Sequence, residues 1–263
     1  MERRKVYFAS DMHLGSPSAG DPKERERKVV RWLQSIKDDA RALVLVGDIF
    51  DYWYEYRTVA PQGFVRLLGA LAELSDAGVE LLYFTGNHDI WLFDYLRHEI
   101  GFKLYMEAAE LTFDGKTFFV AHGDEYETEN RSYQLLRRVF HAGWAQKLYS
   151  LLHPDMTIRF AKNWSNHSRR KGTERYPIVP YKGENEEYLT LFAKSDAKAR
   201  GEAAPDFYIF GHRHLLLDLM ITRKTRVVIL GDWLHYYSFG EWDGESFRLC
   251  RFEEEEDEGA FLY

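Results

Sequence analysis

The chain predicts an α/β fold, with parallel strands in its first half and a mixed second sheet after them. Three observations carry this: short apolar runs that each stop at a Gly, Asp, Asn or His motif, helical periodicity filling the gaps between them, and Asp-Gly turns in the second half.

Residues 6–10 form the first apolar run and lead into Asp11-Met12-His13. Residues 42–46 lead into Gly47-Asp48, and residues 81–85 into Gly86-Asn87-His88-Asp89. Runs without polar alternation read as strands buried on both faces. Between them, residues 24–36 place Val29, Trp32, Leu33 and Ile36 on one helical face, and residues 64–74 do the same with Phe64, Leu67, Leu68 and Leu71. Strand, helix, strand, helix, strand is the alternation of a parallel sheet. Further on, Asp114-Gly115 separates residues 111–113 from 117–121, and Asp243-Gly244 precedes residues 247–252; both read as hairpin turns. Residues 207–210 and 227–230 are further strands and 185–198 a helix, which makes the second sheet mixed.

Inserted between the halves, residues 131–175 hold ten Lys or Arg against two acids, a local balance of +8 in a chain whose net charge is -7. Apolar residues at 135, 136, 139, 140, 144, 148, 151 and 152 line one helical face that Pro154 ends, and a second helix is expected from Asp155 past Phe160 and Trp164. The chain is therefore expected to be one domain over 1–263, with a basic helical insertion at 129–175 packed on the core and a solvated acidic tail at 253–263. At 263 residues and 45% hydrophobic content it can close one full core. A single cysteine, Cys250, excludes an intramolecular disulfide and a cysteine-ligated zinc site, and fits a reducing compartment. The opening residues do not form a secretory signal and no apolar run is long enough to span a bilayer, so the expected location is the cytoplasm, with peripheral membrane contact at most.

Five motifs carry the chemistry: Asp11-x-His13, Gly47-Asp48-x-x-Asp51, Gly86-Asn87-His88-Asp89, His122-Gly123-Asp124 and Gly211-His212-x-His214. Sites in α/β sheets form beyond the carboxyl ends of strands, where all five begin. Taken singly, each motif is an ordinary turn, cap or hydrogen-bonding residue. Five together would crowd polar side chains without partners unless something satisfies them, and imidazole with carboxylate suits Mn, Fe, Zn or Mg. Gly115-Lys116-Thr117 echoes a phosphate loop but lacks the preceding glycine, position 110 being Glu.

In this order the five motifs resemble the calcineurin-like metallophosphoesterases. The resemblance implies a four-layer αββα sandwich and two divalent ions, Mn first among the candidates, with Mg, Fe and Zn behind it. It implies Asp48 as the shared ligand, Asp11, His13 and His214 on one ion, and Asn87, His122 and His212 on the other. It further implies in-line attack on phosphorus by a hydroxide bridging the ions, with His88 serving the leaving oxygen, Asp51 orienting His88, and Asn87 beside it. Within the family, Phe8-Ala-Ser-Asp-x-His-Leu-Gly15, Gly47-Asp-Ile-Phe-Asp-Tyr-Trp53 and Asn130-Arg-x-Tyr-Gln134 are similar to the bacterial UDP-2,3-diacylglucosamine diphosphatases of lipid A biosynthesis, which release UMP and 2,3-diacylglucosamine 1-phosphate. One branch of those enzymes carries Arg where this chain has His88, and an acid where it has Asn130. That likeness implies a nucleotide-sugar lipid as substrate and the insertion as a lid. Asn130, Ser168, Lys171 and His212 would be its substrate contacts, and the location would be cytoplasmic, at the inner face of the inner membrane. Arg and Lys of the insertion suit a diphosphate or an anionic membrane surface, while Phe140, Trp144, Leu148, Leu151 and Phe160 either line an acyl groove or pack on the domain. The alternatives are a nuclease, nucleotide phosphodiesterase or protein phosphatase on the same core, or a non-catalytic scaffold. Tyr52-Trp53 stands where a protein phosphatase has Arg-Gly, and a scaffold could dispense with the seven ligands; no nucleic-acid or protein partner is expected.

Overall fold

The computed structural model describes residues 3–17, 20–128, 131–154, 156, 178 and 180–253. Its first half runs β1 (Lys5–Ala9), α1 (Pro22–Ile36), β2 (Ala40–Val46), α2 (Val65–Asp76), β3 (Glu80–Phe84), α3 (Tyr95–Glu99) and β4 (Lys103–Tyr105). The hairpin β5 (Ala109–Phe113) and β6 (Lys116–Ala121) follows, then α4 (Arg131–His141), α5 (Gly143–Ser150) and α6 (Tyr188–Arg200). The chain closes with β7 (Phe207–Phe210), β8 (Leu216–Met220), β9 (Arg226–Leu230), β10 (Ser238–Trp242) and β11 (Phe247–Arg251).

One sheet has the order β11-β10-β1-β2-β3-β4 and the other β5-β6-β7-β9-β8. Strands β1 to β4 are parallel, as are β6, β7 and β9, while β10, β11, β5 and β8 pair antiparallel. Both sheets are thus mixed, and every parallel strand delivers its carboxyl end to the same edge of the molecule.

Strand periodicity builds the layers. In β1, Val6 and Phe8 enter the cluster between the sheets with Val44, Phe118, Ile209 and Trp242, while Tyr7 and Ala9 face α1 and α2 beside Trp32, Leu33 and Leu71. A third cluster seats Leu189, Ala193 and Ala197 of α6 on Phe119, Tyr208 and Phe210. Helix, sheet, sheet, helix is the resulting order, the four-layer α/β sandwich that the family resemblance implied. Fully burying each large apolar side chain contributes about 1.5–3 kcal/mol.

Local signals set the helix starts. Asp21 accepts a 2.9 Å hydrogen bond from the Lys23 amide with Pro22 following it, a capped start for α1. Helix α2 begins one residue later than its apolar pattern, because Phe64 takes a left-handed conformation at the N-cap. The buried Glu26 carboxylate of α1 accepts from the Arg66 and Leu67 amides instead.

The insertion departs from the single helical face read in its sequence. Ala142 is extended, with φ -72° and ψ 122°, and splits the segment into α4 and α5. The split lets both helices reach the core: Trp91 Nε1 donates to the Phe140 carbonyl at 3.0 Å, Tyr54 Oη to the Gln146 carbonyl at 3.0 Å, and Tyr52 and Tyr149 hydroxyls pair at 2.8 Å. Trp144, Leu148 and Leu151 do not pack inward; they are 65%, 60% and 81% exposed. The helix expected from Asp155 onward, and the acidic tail beyond Glu253, lie outside the described residues.

Candidate metal centre

Five of the parallel strands end in the motifs. Beyond β1 come Asp11 and His13, beyond β2 Asp48 and Asp51, beyond β3 Asn87 and His88, beyond β6 His122, and beyond β7 His212 and His214. Their donor atoms gather, each group within 4.8 Å, as His13 with Asp51 and His88 at the rim and, inside it, as two clusters, Asp11 with His13 and His214, and Asp48 with His122 and His212. Asp48 joins them through one oxygen. Its Oδ2 lies 3.8 Å from His13 Nε2 and 3.3 Å from His122 Nε2, while Oδ1 is taken by the His88 amide at 2.8 Å. Asn87 Oδ1 completes the second cluster, 3.3 Å from His122 Nε2.

This convergence is built at the expense of backbone comfort. Among the described residues eight non-glycine positions have positive φ, and five of them are Asp11, His13, Asp48, His212 and His214. Such conformations cost on the order of 1–3 kcal/mol each and persist where the surroundings enforce them. Close packing enforces them here: a Cβ on Gly86 would come within 2.2 Å of Asp48 Oδ1, and one on Gly211 within 2.7 Å of Asp11 Oδ2. Arg25, buried on α1, donates to the His13 and Ser16 carbonyls at 3.0 and 3.1 Å. Arg213, between the two histidines, is forked on the buried Glu187 carboxylate at 3.0 Å.

The electrostatics are those of charges waiting for a counter-ion. Burial pushes the Asp48 carboxyl up, but the charges of His122, His88 and His13 hold it well below the usual carboxylate range. His122 is the mirror case: burial pulls it down and the Asp48 carboxylate carries it well above the ordinary imidazole value. Burial raises the Asp11 carboxyl, against His214 and His122. Asp11 Oδ1 is buried and accepts no hydrogen bond among the described residues, yet it lies 3.5 Å from His214 Nε2 and 3.8 Å from His13 Nε2, and these two nitrogens are 3.1 Å apart. An orphaned carboxylate oxygen facing two converging imidazole nitrogens is satisfied by a cation. The residues present fit divalent ions, with nitrogen and oxygen donors of the borderline transition-metal kind.

His88 stands at the rim, its ring edge-on to His13 with centroids 4.8 Å apart. Its Nδ1 is 2.9 Å from the backbone carbonyl of Asp51 and 3.9 Å from the Asp51 carboxylate. The nearer contact is the main chain of Asp51, which no side-chain pattern reveals. Asp89 ties the loops together, accepting from the Gly86 and Ile49 amides and the Tyr83 hydroxyl; burial and the Asp48 charge raise its carboxyl to about 6. Asp124 is held by Arg137 at 2.6 Å and Tyr133 at 3.2 Å. Of the expected substrate contacts, His212 sits in the second cluster, with Glu127 Oε2 3.8 Å from its Nε2. Asn130, Ser168 and Lys171 lie outside the described residues.

One buried carboxylate at the centre is absent from the motif set. Asp232, fully buried, accepts from His214 Nδ1 at 3.0 Å. Its signal was present: Gly231-Asp232 follows an apolar strand as Gly47-Asp48 does. Glu127 and Arg25 carry no such signal, since their relevance arises only from the chain's path in space.

The profile of the family described as calcineurin-like phosphoesterase matches residues 4–216. A UDP-2,3-diacylglucosamine hydrolase of Porphyromonas gingivalis is 45% identical over 263 residues, covering 97% of this chain and 100% of that relative. A UDP-2,3-diacylglucosamine hydrolase of Neisseria meningitidis is 26% identical over 236 residues, 89% of this chain and 92% of the relative. Among solved structures, a dimetal phosphatase from Danio rerio aligns with 96% of this chain and 100% of its own at 12% identity, with a TM-score of 0.47.

Proposed function

This chain belongs to the calcineurin-like phosphoesterase family and is a hydrolase; from that premise we propose that it cleaves the diphosphate of UDP-2,3-diacylglucosamine to UMP and 2,3-diacylglucosamine 1-phosphate. The observation that carries the reading is the single oxygen, Asp48 Oδ2, that stands within 3.8 Å of candidate ligand atoms from both clusters in a chain 45% identical to a UDP-2,3-diacylglucosamine hydrolase. In this reading Asp11, His13 and His214 hold one ion, Asn87, His122 and His212 the other, and Asp48 both. Mn is the first choice, with Mg, Fe or Zn as substitutes. Two divalent ions bound there would supply a nucleophile from water near neutral pH and neutralise charge on the phosphoryl oxygens.

The chain's own residues do the rest. The left-handed loops and their glycine packing hold the donor atoms before any ion arrives, so little reorganisation accompanies the reaction. His88, anchored through Nδ1 on the Asp51 carbonyl, keeps Nε2 for the proton that passes to the leaving oxygen. Asn87 places its amide oxygen beside His122, and the Asp51 carboxylate, 3.8 Å from His13 Nδ1 and 3.9 Å from His88 Nδ1, steadies both rings.

Helices α4 and α5 serve as the lid in this reading. Their exposed Leu135, Trp144 and Leu148, with Leu151 just past the end of α5, offer apolar surface to acyl chains, and exposed Arg138 and Lys147 offer charge to the diphosphate or to an anionic bilayer. Among the described residues no helix is long and apolar enough to cross a membrane, and contact at the inner face of the inner membrane would be peripheral. Asn130, Ser168 and Lys171 complete the proposed substrate contacts. The test is incubation of the purified protein with Mn and UDP-2,3-diacylglucosamine, followed by analysis for UMP and the acylated sugar phosphate. Both products in equal amounts are expected. Turnover of a generic phosphodiester without turnover of this lipid would defeat the substrate assignment and leave the phosphoesterase chemistry standing.

A further inference from the structure

Asp232 makes two kinds of contact with its two oxygens. Oδ1 accepts from three successive backbone amides, Leu234 at 3.1 Å, His235 at 2.7 Å and Tyr236 at 3.1 Å, closing the turn after β9. Oδ2 accepts from His214 Nδ1 at 3.0 Å. The next residue, Trp233, donates its amide to the Asp11 carbonyl at 3.1 Å, so one turn grips two of the candidate ligands of one cluster. Both acceptor sets require Asp232 to be a carboxylate without a donor of its own. His214 therefore carries a proton on Nδ1 and turns Nε2 toward Asp11 Oδ1 at 3.5 Å.

We infer that Asp232 is a positioning residue for the Asp11–His13–His214 centre: it fixes the tautomer and ring orientation of His214 so that Nε2 is always the ligating atom. The general behaviour of imidazole ligands supports this, since a carboxylate on the second nitrogen both orients the ring and raises its basicity, and losing such a partner costs about 10- to 100-fold in metal affinity. The inference rests on the metal-centre reading above, and goes beyond it to the turn that prepares the ligand.

The substitution Asp232→Asn separates positioning from mere turn closure. Asn keeps a carbonyl oxygen for the three amides, so the turn survives, but it presents an NH₂ to His214 Nδ1. A donor there moves the imidazole proton to Nε2 and blocks its lone pair. Titration of metal-free wild type and variant with Mn(II), followed calorimetrically, should show two ions on the wild type and, on the variant, one of the two bound about 10- to 100-fold more weakly, with the unfolding midpoint of the metal-free protein nearly unchanged. In a His214→Ala background the Asp232→Asn effect on affinity should vanish, because the two residues act through one bond. Equal Mn(II) affinity in wild type and Asp232→Asn would overturn the inference and leave Asp232 a turn residue. Should the variant fail to fold, ¹⁵N spectra of metal-free wild type, taken above the pH at which the His214 ring becomes neutral, decide the matter: a proton retained on Nδ1 upholds it and one retained on Nε2 overturns it. Failure of the wild type itself to bind Mn(II) would instead count against the metal centre as a whole.

Discussion

At the scale of single residues, the site is a set of buried carboxylates and imidazoles that hold one another's charge, with Asp11 Oδ1 left for a cation to satisfy. Asp48 is the residue common to both halves, so Asp48→Ala is expected to abolish turnover and the uptake of both ions together, measured by metal analysis of the purified variant. His88→Ala is expected to retain both ions and lose about 10²- to 10⁴-fold in kcat, the range of a general acid. The motif residues were legible in the sequence because each sits within a few residues of an apolar run, but only the five motifs together, through the family resemblance, propose them as ligands. Asp232 has the same Gly-Asp signature, but it lies outside the five-motif pattern that the family resemblance supplies. The Asp51 carbonyl that anchors His88 could not be read at all, since every residue has one.

At the scale of elements, hairpins and helix starts follow local chemistry, whereas the insertion follows tertiary contact. The β10–β11 turn shows the first: Asp243 accepts from the Ser246 and Glu245 amides, and those bonds lower its carboxyl to about 2. The unfolded carboxyl titrates at about 4, so the bonds stabilise the hairpin fully above that pH and the stabilisation is lost as pH falls through about 2. The stability difference between wild type and Asp243→Ala should therefore be constant above pH ~4 and shrink below it in denaturant titrations. The insertion shows the second. Its stripe of apolar residues reads as one helix, but the hydrogen bonds from Tyr54 and Trp91 fix α4 and α5 as two, and they leave Leu148 and Leu151 outside the core. Replacing both exposed leucines with serine should change stability by less than about 0.5 kcal/mol. The same variant should raise KM for the diacylated substrate while leaving turnover of a short soluble phosphodiester unaltered.

At the scale of the whole molecule, two sheets pressed face to face hold loops from both at one edge, and the metal centre is where those loops meet. The core between the sheets is aromatic: Phe118 stacks on Phe207 with centroids 4.7 Å apart and lies 5.6 Å from the Phe8 ring. Phe118→Ala should cost about 3–5 kcal/mol by equilibrium unfolding, because the cavity is flanked by both sheets and cannot collapse. The α/β class was legible from alternation, while the stacking of two sheets into four layers came from the family resemblance, since no local pattern says which strand faces belong together. In the proposed metal centre, loops from both sheets would hold a pair of ions about the shared Asp48 oxygen. Anomalous diffraction from crystals grown with Mn should show two strong peaks flanking Asp48 Oδ2, one against His13 and His214 and one against Asn87 and His122. A single peak away from Asp48, or none in a crystal of the intact folded protein, would contradict it.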